Sequence, residues 1–149
     1  MNLLIKFCII SYLLVITAAT EKLSSAGPNV YTTPLTKWTV TITNQLSPGQ
    51  ILFLRCKSRD DDLGAQTLHV DQSFSWKFKV NLLSTTLFWC NLRTSSNKHV
   101  SMEVFWPEKH EWLGYRCNYQ YCYWDVRDDG IYLDNLPKNV DEFVRGWEK

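Results

Sequence analysis

Short segments in which apolar and polar residues alternate set the narrowest limit on what this chain can fold into. The clearest is SFSWKFKV at residues 73–80, in which Phe74, Trp76, Phe78 and Val80 share one face while serines and lysines share the other. A period of two places one face of an extended chain against a core, which is typical of a half-buried β-strand. Comparable segments occupy residues 38–43, 51–56, 85–92, 99–106, 122–127 and 131–133.

The number and spacing of these segments predict an all-β fold, a small antiparallel β-sandwich of seven to eight strands, with a barrel as the alternative. Asp128-Asp129-Gly130 between two segments predicts a tight hairpin, because glycine readily takes the positive φ that such turns require. No segment before residue 135 has a helical period. The tail NVDEFVRGW (139–147) is expected to form a short helix at most, with Phe143 and Trp147 on one face.

The N-terminus predicts a secretory signal peptide. Lys6 precedes the apolar run FCIISYLLVI, and the small residues Thr17-Ala18-Ala19 follow it as a cleavage signal. The apolar run is too short for a permanent membrane anchor. We therefore expect secretion, with four segments: a signal peptide at 1–19, a flexible N-terminal arm at 20–36, a sandwich domain at 37–135 and a C-terminal tail at 136–149.

Cleavage at this position would remove one of the five cysteines, Cys8, and leave four. An even number of cysteines in an oxidising compartment predicts two disulfides, with three pairings open. Because side chains alternate between the two faces of a strand, three of the four cysteines are expected to face the core. We expect the bridges to join one sheet to the other. A zinc site is the alternative, which the absence of a close C-x2-C pair disfavours. The four are Cys56, Cys90, Cys117 and Cys122.

The charge pattern argues against several classes of function. The chain has 16 lysines and arginines against 15 aspartates and glutamates, without a basic block, which disfavours binding to nucleic acid or to anionic lipid surfaces. No second apolar run is long enough to span a membrane, so stable membrane insertion is not expected. His69, His99 and His110 lie in unrelated segments, and no serine has a G-x-S-x-G context. A non-enzymatic protein without cofactor or metal is therefore expected.

Two acidic stretches share the tripeptide Arg-Asp-Asp, at residues 59–61 and 127–129, each closely followed by a glycine. We interpret both as tight turns, in which aspartates accept backbone hydrogen bonds and the arginine supplies a counter-charge. Gly64 would let the chain turn back after the first. A calcium site is the alternative, but DDDLG has neither the alternate ligand spacing nor the distant glutamate of an EF-hand.

Residues 105–124 contain eight aromatic residues in 20 positions. Tyr121 and Tyr123 alternate with Cys122 and Trp124, so one of these two sets faces inward. The outward set, together with Trp112 and Tyr115, would be available to a partner, because tyrosine and tryptophan are favoured in contact surfaces.

Several blocks, in this order, closely resemble the plant self-incompatibility protein S1 family, also called S-protein homologues. The blocks are WTVTITNQL (38–46), LRCKSRDDDLG (54–64), FSWKF (74–78), TTLFWC (85–90) and CYWDVRDDGIYL (122–133). The resemblance implies a disulfide-bonded β-sandwich, an extracellular (apoplastic) location and no known catalytic activity. It also implies that the four cysteines and the two acidic turns belong to the family framework. In poppy, the founding members are stigma-secreted ligands of a pollen membrane receptor.

We therefore expect a secreted, monomeric signalling or recognition ligand that binds a plasma-membrane receptor protein through its loops. The alternative is an apoplastic glycan-binding module that uses the aromatic segment 105–124. The candidate interaction residues are Arg59, Asp60, Asp61, Asp62, Trp112, Tyr115, Arg127, Asp128 and Asp129.

Overall fold

The computed structural model describes residues 36–81, 83, 85–106 and 111–148, all within the compact unit Tyr31–Lys149. The predicted signal peptide and all but the last residue of the predicted arm lie outside the described residues. Within the described residues the chain forms nine strands and one short helix. In chain order these are β1 (Lys37–Asn44), β2 (Leu52–Lys57), β3 (Asp62–Leu68), β4 (Ser73–Lys79), β5 (Phe88–Thr94), β6 (His99–Phe105), α1 (Trp112–Arg116), β7 (Tyr121–Arg127), β8 (Gly130–Asn135) and β9 (Val140–Arg145).

The strands form two sheets, which confirms the predicted sandwich. One sheet has five strands in the order β4-β1-β7-β8-β9, and the other has four in the order β3-β2-β5-β6. Every pairing is antiparallel except that of β1 with β7, which is parallel and which the sequence did not indicate. No helix in the described part of the chain has the length and apolarity needed to cross a lipid bilayer.

Apolar residues from the inner faces of both sheets form the core. Alternation along β1 buries Trp38, Val40 and Ile42, as the sequence predicts. Trp124 of β7 is 1% exposed, and its Nε1 donates a hydrogen bond to the carbonyl oxygen of Val104 in the opposite sheet, at 3.1 Å. This contact joins the two layers through a polar group that would otherwise be buried without a partner.

Two strands were not predicted, and both depart from clean alternation. β3 contains Gly64, a residue depleted in strands, and Gly64 has a φ of +77° beside an irregularity in the β2–β3 register. The expectation that Gly64 reverses the chain was therefore wrong, because it lies inside a strand. The turn precedes it, at residues 58–61.

The expected C-terminal helix was also wrong. Residues 140–145 form β9, which pairs with β8, and the chain then crosses to the other sheet. There the amide of Glu148 donates to the carbonyl oxygen of His99 at the edge of β6, at 2.9 Å. The indole Nε1 of Trp147 donates to the carbonyl oxygen of Arg127. The predicted tail is thus part of the sandwich and covers one of its open edges.

Neither disulfide joins the two sheets, in contrast to the expectation. Cys56 and Cys90 are directly opposite partners on neighbouring strands β2 and β5, with Cα atoms 4.1 Å apart. Cys117 and Cys122 connect the end of α1 to the start of β7, five residues later. All four are fully buried, so the predicted inward direction of Cys56, Cys90 and Cys122 is confirmed. Cohesion between the sheets therefore depends on core packing.

Candidate functional site

The two acidic turns lie at opposite ends of the sandwich. Residues 58–61 connect β2 to β3 next to Trp89, at the start of β5. Residues 128–129 connect β7 to β8, where the backbone of Ser47 in the β1–β2 loop donates to Asp128. That loop leads into Leu52, which pairs with Thr94 at the far end of β5. The repeated Arg-Asp-Asp tripeptide therefore does not build one common surface.

In the first turn, serine organises the backbone and each aspartate has a different partner. The Ser58 hydroxyl accepts the amides of Asp60 and Asp61 and donates to the Asp61 carboxylate. Asp60 pairs with Arg59, and both side chains are largely in water, at 71% and 84% exposure. Arg59 thus serves as a counter-charge to Asp60, as expected.

The third aspartate of the run belongs to the neighbouring strand. Asp62 accepts two hydrogen bonds from Arg55, the shorter at 2.5 Å, and one from the backbone amide of Gly64. The bonds from Arg55 and Gly64 lower the pKa of the Asp62 carboxyl. Asp62 is the aspartate of this run that accepts a backbone amide two residues on, so it fixes the beginning of β3.

Chelation of divalent cations is expected to leave the melting temperature unchanged, because the three carboxylates of residues 60–62 have separate partners and do not converge on one point. Differential scanning calorimetry with and without EDTA measures this directly. A clear drop in melting temperature with EDTA, restored by added calcium, would contradict the interpretation of DDDLG as a turn.

In the second turn, the arginine faces away from its neighbouring aspartates. Arg127 forms ion pairs with Asp125 and Asp141, and its guanidinium lies over the ring of Tyr132, 4.5 Å from the centroid. The expectation that Arg127 supports the two turn aspartates was wrong, because strand alternation places it on the outer face of the five-stranded sheet.

The turn aspartates have other partners. Asp128 accepts from the amide and hydroxyl of Ser47, and its own carbonyl accepts from Lys98. The Ser47 bonds lower the pKa of the Asp128 carboxyl. Asp129 accepts the hydroxyl of Tyr132 at 2.6 Å. The predicted hairpin is confirmed, since β7 and β8 pair antiparallel and Arg127 lies opposite Gly130 across the two turn aspartates.

The aromatic candidates lie on helix α1, at the same end as the first acidic turn. Trp112 stacks on Trp106 with ring centroids 5.8 Å apart, and the guanidinium of Arg116 lies 4.0 Å from the Trp112 centroid. Trp112 and Tyr115 remain 36% and 42% exposed. Arg116 also pairs with Glu142 of β9 at 2.5 Å, which anchors the helix to the sheet.

The remaining aromatic residues of segment 105–124 do not extend this patch into a continuous ring platform. Tyr121 and Tyr123 are exposed on the outer face of β7, while Tyr119 is partly buried and donates to Glu111. Phe105 and Trp124 belong to the core. The surface that the glycan alternative requires is therefore divided between a helix and a sheet face.

A carboxylate cluster on the outer face of the five-stranded sheet was not predicted. Asp125, Asp134 and Asp141 come from three neighbouring strands, and their oxygens lie within 4.8 Å of one another. Arg127 pairs with two of them, so a side-chain cation already occupies part of the cluster. The Asp134 Oδ1 atom is buried and has no hydrogen-bond partner within the described part of the chain. Burial, followed by the nearby charges of Asp125 and Asp141, raises the pKa of Asp134 to about 6.

Replacing Asp134 with asparagine is expected to stabilise the protein at pH 7 and to flatten its pH dependence. A raised pKa means that the folded state holds the proton more tightly than the unfolded state. The contribution of Asp134 to the stability of the protein is therefore greatest below pH 4 and is lost as the pH rises through about 6. Because the group is partly solvated, the effect is on the order of 1 kcal/mol. Urea unfolding of D134N from pH 4 to 7.5 measures it, with D60N as the exposed control. Equal pH dependence in D134N and wild type would contradict the assignment.

The fold defines the class of protein as a small disulfide-bonded β-sandwich with exposed loops. All four described cysteines are in bridges. The family model described as plant self-incompatibility protein S1 matches residues 39–147. The chain therefore belongs to the plant self-incompatibility protein S1 family, and the resemblance seen in the sequence is confirmed.

Individual relatives agree with this assignment. S-protein homolog 1 of Arabidopsis thaliana is 40% identical over 114 residues, covering 76% of this chain and 74% of that protein. S-protein homolog 74 of the same plant is 37% identical over 114 residues, covering 76% of this chain and 74% of that protein. A solved structure of SPH (self-incompatibility protein homologue) proteins, described as a widespread family of small, highly stable, secreted proteins from plants, has a TM-score of 0.59. It is 23% identical and covers 77% of this chain and 97% of that one, which supports the fold.

Proposed function

We propose that this protein is a secreted, monomeric ligand that binds a plasma-membrane receptor protein through one end of its sandwich. The binding surface, here called the turn–helix end, consists of Arg59 and Asp60 in the β2–β3 turn with Trp112 and Tyr115 on α1. Secretion is supported by the signal-peptide pattern at residues 1–19 and by the description of SPH proteins as secreted.

The proposal rests on a difference between the two ends of the sandwich in the partners of their turn side chains. At the turn–helix end, the side chains of Arg59 and Asp60 bond only to each other among the described residues, and the side chains of Trp112 and Tyr115 on α1 are partly exposed. At the opposite end, Asp128 and Asp129 are held by Ser47 and Tyr132. A partner can therefore engage Arg59 and Asp60 without breaking bonds that stabilise the fold.

The residue types at the turn–helix end also suit protein recognition. Tryptophan, tyrosine and arginine are the residues that most often dominate the binding energy of protein interfaces. The Cys117–Cys122 bridge and the Arg116–Glu142 ion pair hold α1 in place, so little conformational entropy is lost when Trp112 and Tyr115 are contacted.

The proposal includes no catalytic step and no cofactor. The cysteines of the described region are all oxidised to disulfides, and His99 lies 3.7 Å from the exposed carboxylate of Glu148. A rigid scaffold with exposed loops is suited to presenting a binding surface.

Saturable binding of the fluorescently labelled mature protein to plant plasma-membrane vesicles tests the proposal. We expect binding that saturates, that unlabelled protein displaces, and that is lost after the vesicles are treated with protease. Binding that never saturates, or that survives proteolysis of the vesicle surface, would contradict a receptor protein as the partner. Covalent crosslinking of the bound protein followed by mass spectrometry would then identify that partner.

A further inference from the structure

We propose that the outer face of the four-stranded sheet binds an oligosaccharide that carries uronic-acid carboxylates. This surface, here called the sheet-face groove, is a depression of about 590 Å³. It lies away from the turn–helix end and does not depend on a receptor. The groove is lined by, among others, Phe53, Arg55, Asn91, Arg93, His99 and Ser101.

Strand register arranges these side chains in two parallel rows across the sheet. Phe53, Arg93 and His99 are successive cross-strand partners on β2, β5 and β6. Arg55, Asn91 and Ser101 form the next row in the same way. Residues two apart on a strand project from the same face, so both rows point outward. The result is one aromatic ring surrounded by guanidinium, imidazole, amide and hydroxyl groups.

Arg93 gives this surface its preference for an acidic ligand. Its guanidinium lies 4.9 Å from the centroid of the Phe53 ring, which orients it without neutralising its charge. Within the described residues no carboxylate lies within ion-pair distance of Arg93, whereas Arg55 is paired with Asp62 and His99 is near Glu148. An arginine held in this way can bind a carboxylate through two parallel hydrogen bonds.

The remaining groups match sugar hydroxyls. The Asn91 amide and the Ser101 hydroxyl are exposed and form no side-chain hydrogen bond within the described residues, so each can exchange water for a ligand oxygen. The partly exposed ring of Phe53 supplies an apolar contact for the CH groups of a pyranose ring. These are the polar and apolar contacts that a charged sugar presents together.

The position of the groove favours a saccharide over an extended peptide. The middle of the groove lies over β2 and β5, which are central strands whose backbone groups are paired on both sides, so this part of the groove offers side chains and not a free strand edge. An extended peptide gains much of its affinity from main-chain hydrogen bonds at such an edge. A sugar can bind through side chains alone, by hydrogen bonds to its hydroxyls and apolar contacts to its CH groups.

Isothermal titration calorimetry with a galacturonic-acid oligosaccharide tests the proposal, with the methyl-esterified ligand and a distant arginine variant as matched controls. We expect binding to the acidic oligosaccharide and at least a tenfold loss of affinity for its fully methyl-esterified form, which lacks the charged carboxylates. R93Q should weaken binding to the acidic form by about tenfold or more, since it removes the bidentate cation. R59Q, which removes an equally charged but distant arginine, should change affinity by less than about twofold.

Four results would overturn the proposal: no measurable binding of the acidic oligosaccharide, equal binding of the esterified form, equal binding by R93Q and wild type, or stronger binding of a glutamate-rich peptide. Because the titration contains no membrane or receptor, its outcome is separate from that of the vesicle assay. Melting temperatures of R93Q and R59Q confirm that both variants are folded.

Discussion

Removal of the Cys56–Cys90 disulfide is expected to lower the free energy of unfolding by about 4 kcal/mol, because the bridge closes a long loop in the unfolded chain. The two cysteines are 34 residues apart in sequence, whereas Cys117 and Cys122 are separated by five. Loop-closure entropy therefore predicts a smaller loss, about 2 kcal/mol, for the second bridge. Urea denaturation of C56A/C90A and C117A/C122A measures both values under identical conditions.

The comparison between the two variants is informative, since all four cysteines are fully buried and the same atoms are removed in each case. A larger loss for C117A/C122A would mean that docking of α1, rather than restriction of the unfolded chain, dominates the effect of the bridges. Reduction of the wild-type protein with dithiothreitol should reproduce the loss in the double variants, with a melting temperature well below that of the oxidised protein.

Replacement of Trp124 by alanine is expected to destabilise the protein by about 3–5 kcal/mol, as for other large aromatic residues removed from a core. Trp124 is 1% exposed, and its indole nitrogen bonds to Val104 across the two sheets. The substitution leaves a cavity and deprives a buried carbonyl of its donor. Because neither disulfide crosses between the sheets, this contact is part of what holds the layers together.

Tyr123 provides the matched control, since it precedes Trp124 on β7 and its side chain is exposed on the outer face. Y123A should cost less than about 1 kcal/mol, in line with other surface substitutions. Thermal and urea unfolding of W124A, W124F and Y123A separate the effects of volume and of the hydrogen bond. Similar losses in W124A and Y123A would contradict the assignment of inner and outer faces.

The sequence predicted the parts of the fold that depend on local alternation. β1, β4 and β6 have an unbroken period of two, and each was expected where it occurs. β3 was missed because a glycine with positive φ and the irregular register disturb its pattern. β9 was missed because apolar residues at 140, 143, 144 and 147 also fit a helical spacing. Pairing with β8 decided the outcome, and local pattern could not reveal it.

Features that depend on which strands are neighbours could not be predicted. The pairing of Cys56 with Cys90 follows from the register of β2 against β5, and the cluster of Asp125, Asp134 and Asp141 follows from the order β7-β8-β9. The Arg-Asp-Asp repeat suggested one kind of turn, yet Arg59 pairs with its neighbour while Arg127 pairs across strands. Sequence separation carries no information about such partners.

The sheet-face groove illustrates the same limit. Phe53, Arg93 and His99 are each unremarkable in the sequence, and nothing marks them as a set. They form a row only because β2, β5 and β6 are adjacent in the four-stranded sheet. Alternation along β2 indicated that Phe53 lies on the face opposite to the buried Leu52 and Leu54. The residues that lie beside Phe53 on that outer face became evident only in the folded sheet.

Whether one end of the sandwich binds a receptor is tested by the affinity of two double variants for plasma-membrane vesicles. One variant combines R59A with W112A at the turn–helix end, and the other combines D128N with D129N at the opposite end. We expect the first to lose at least about tenfold in affinity and the second to lose less than about twofold, with both folded by calorimetry. A greater loss in the D128N/D129N variant, or wild-type affinity in both, would contradict the account.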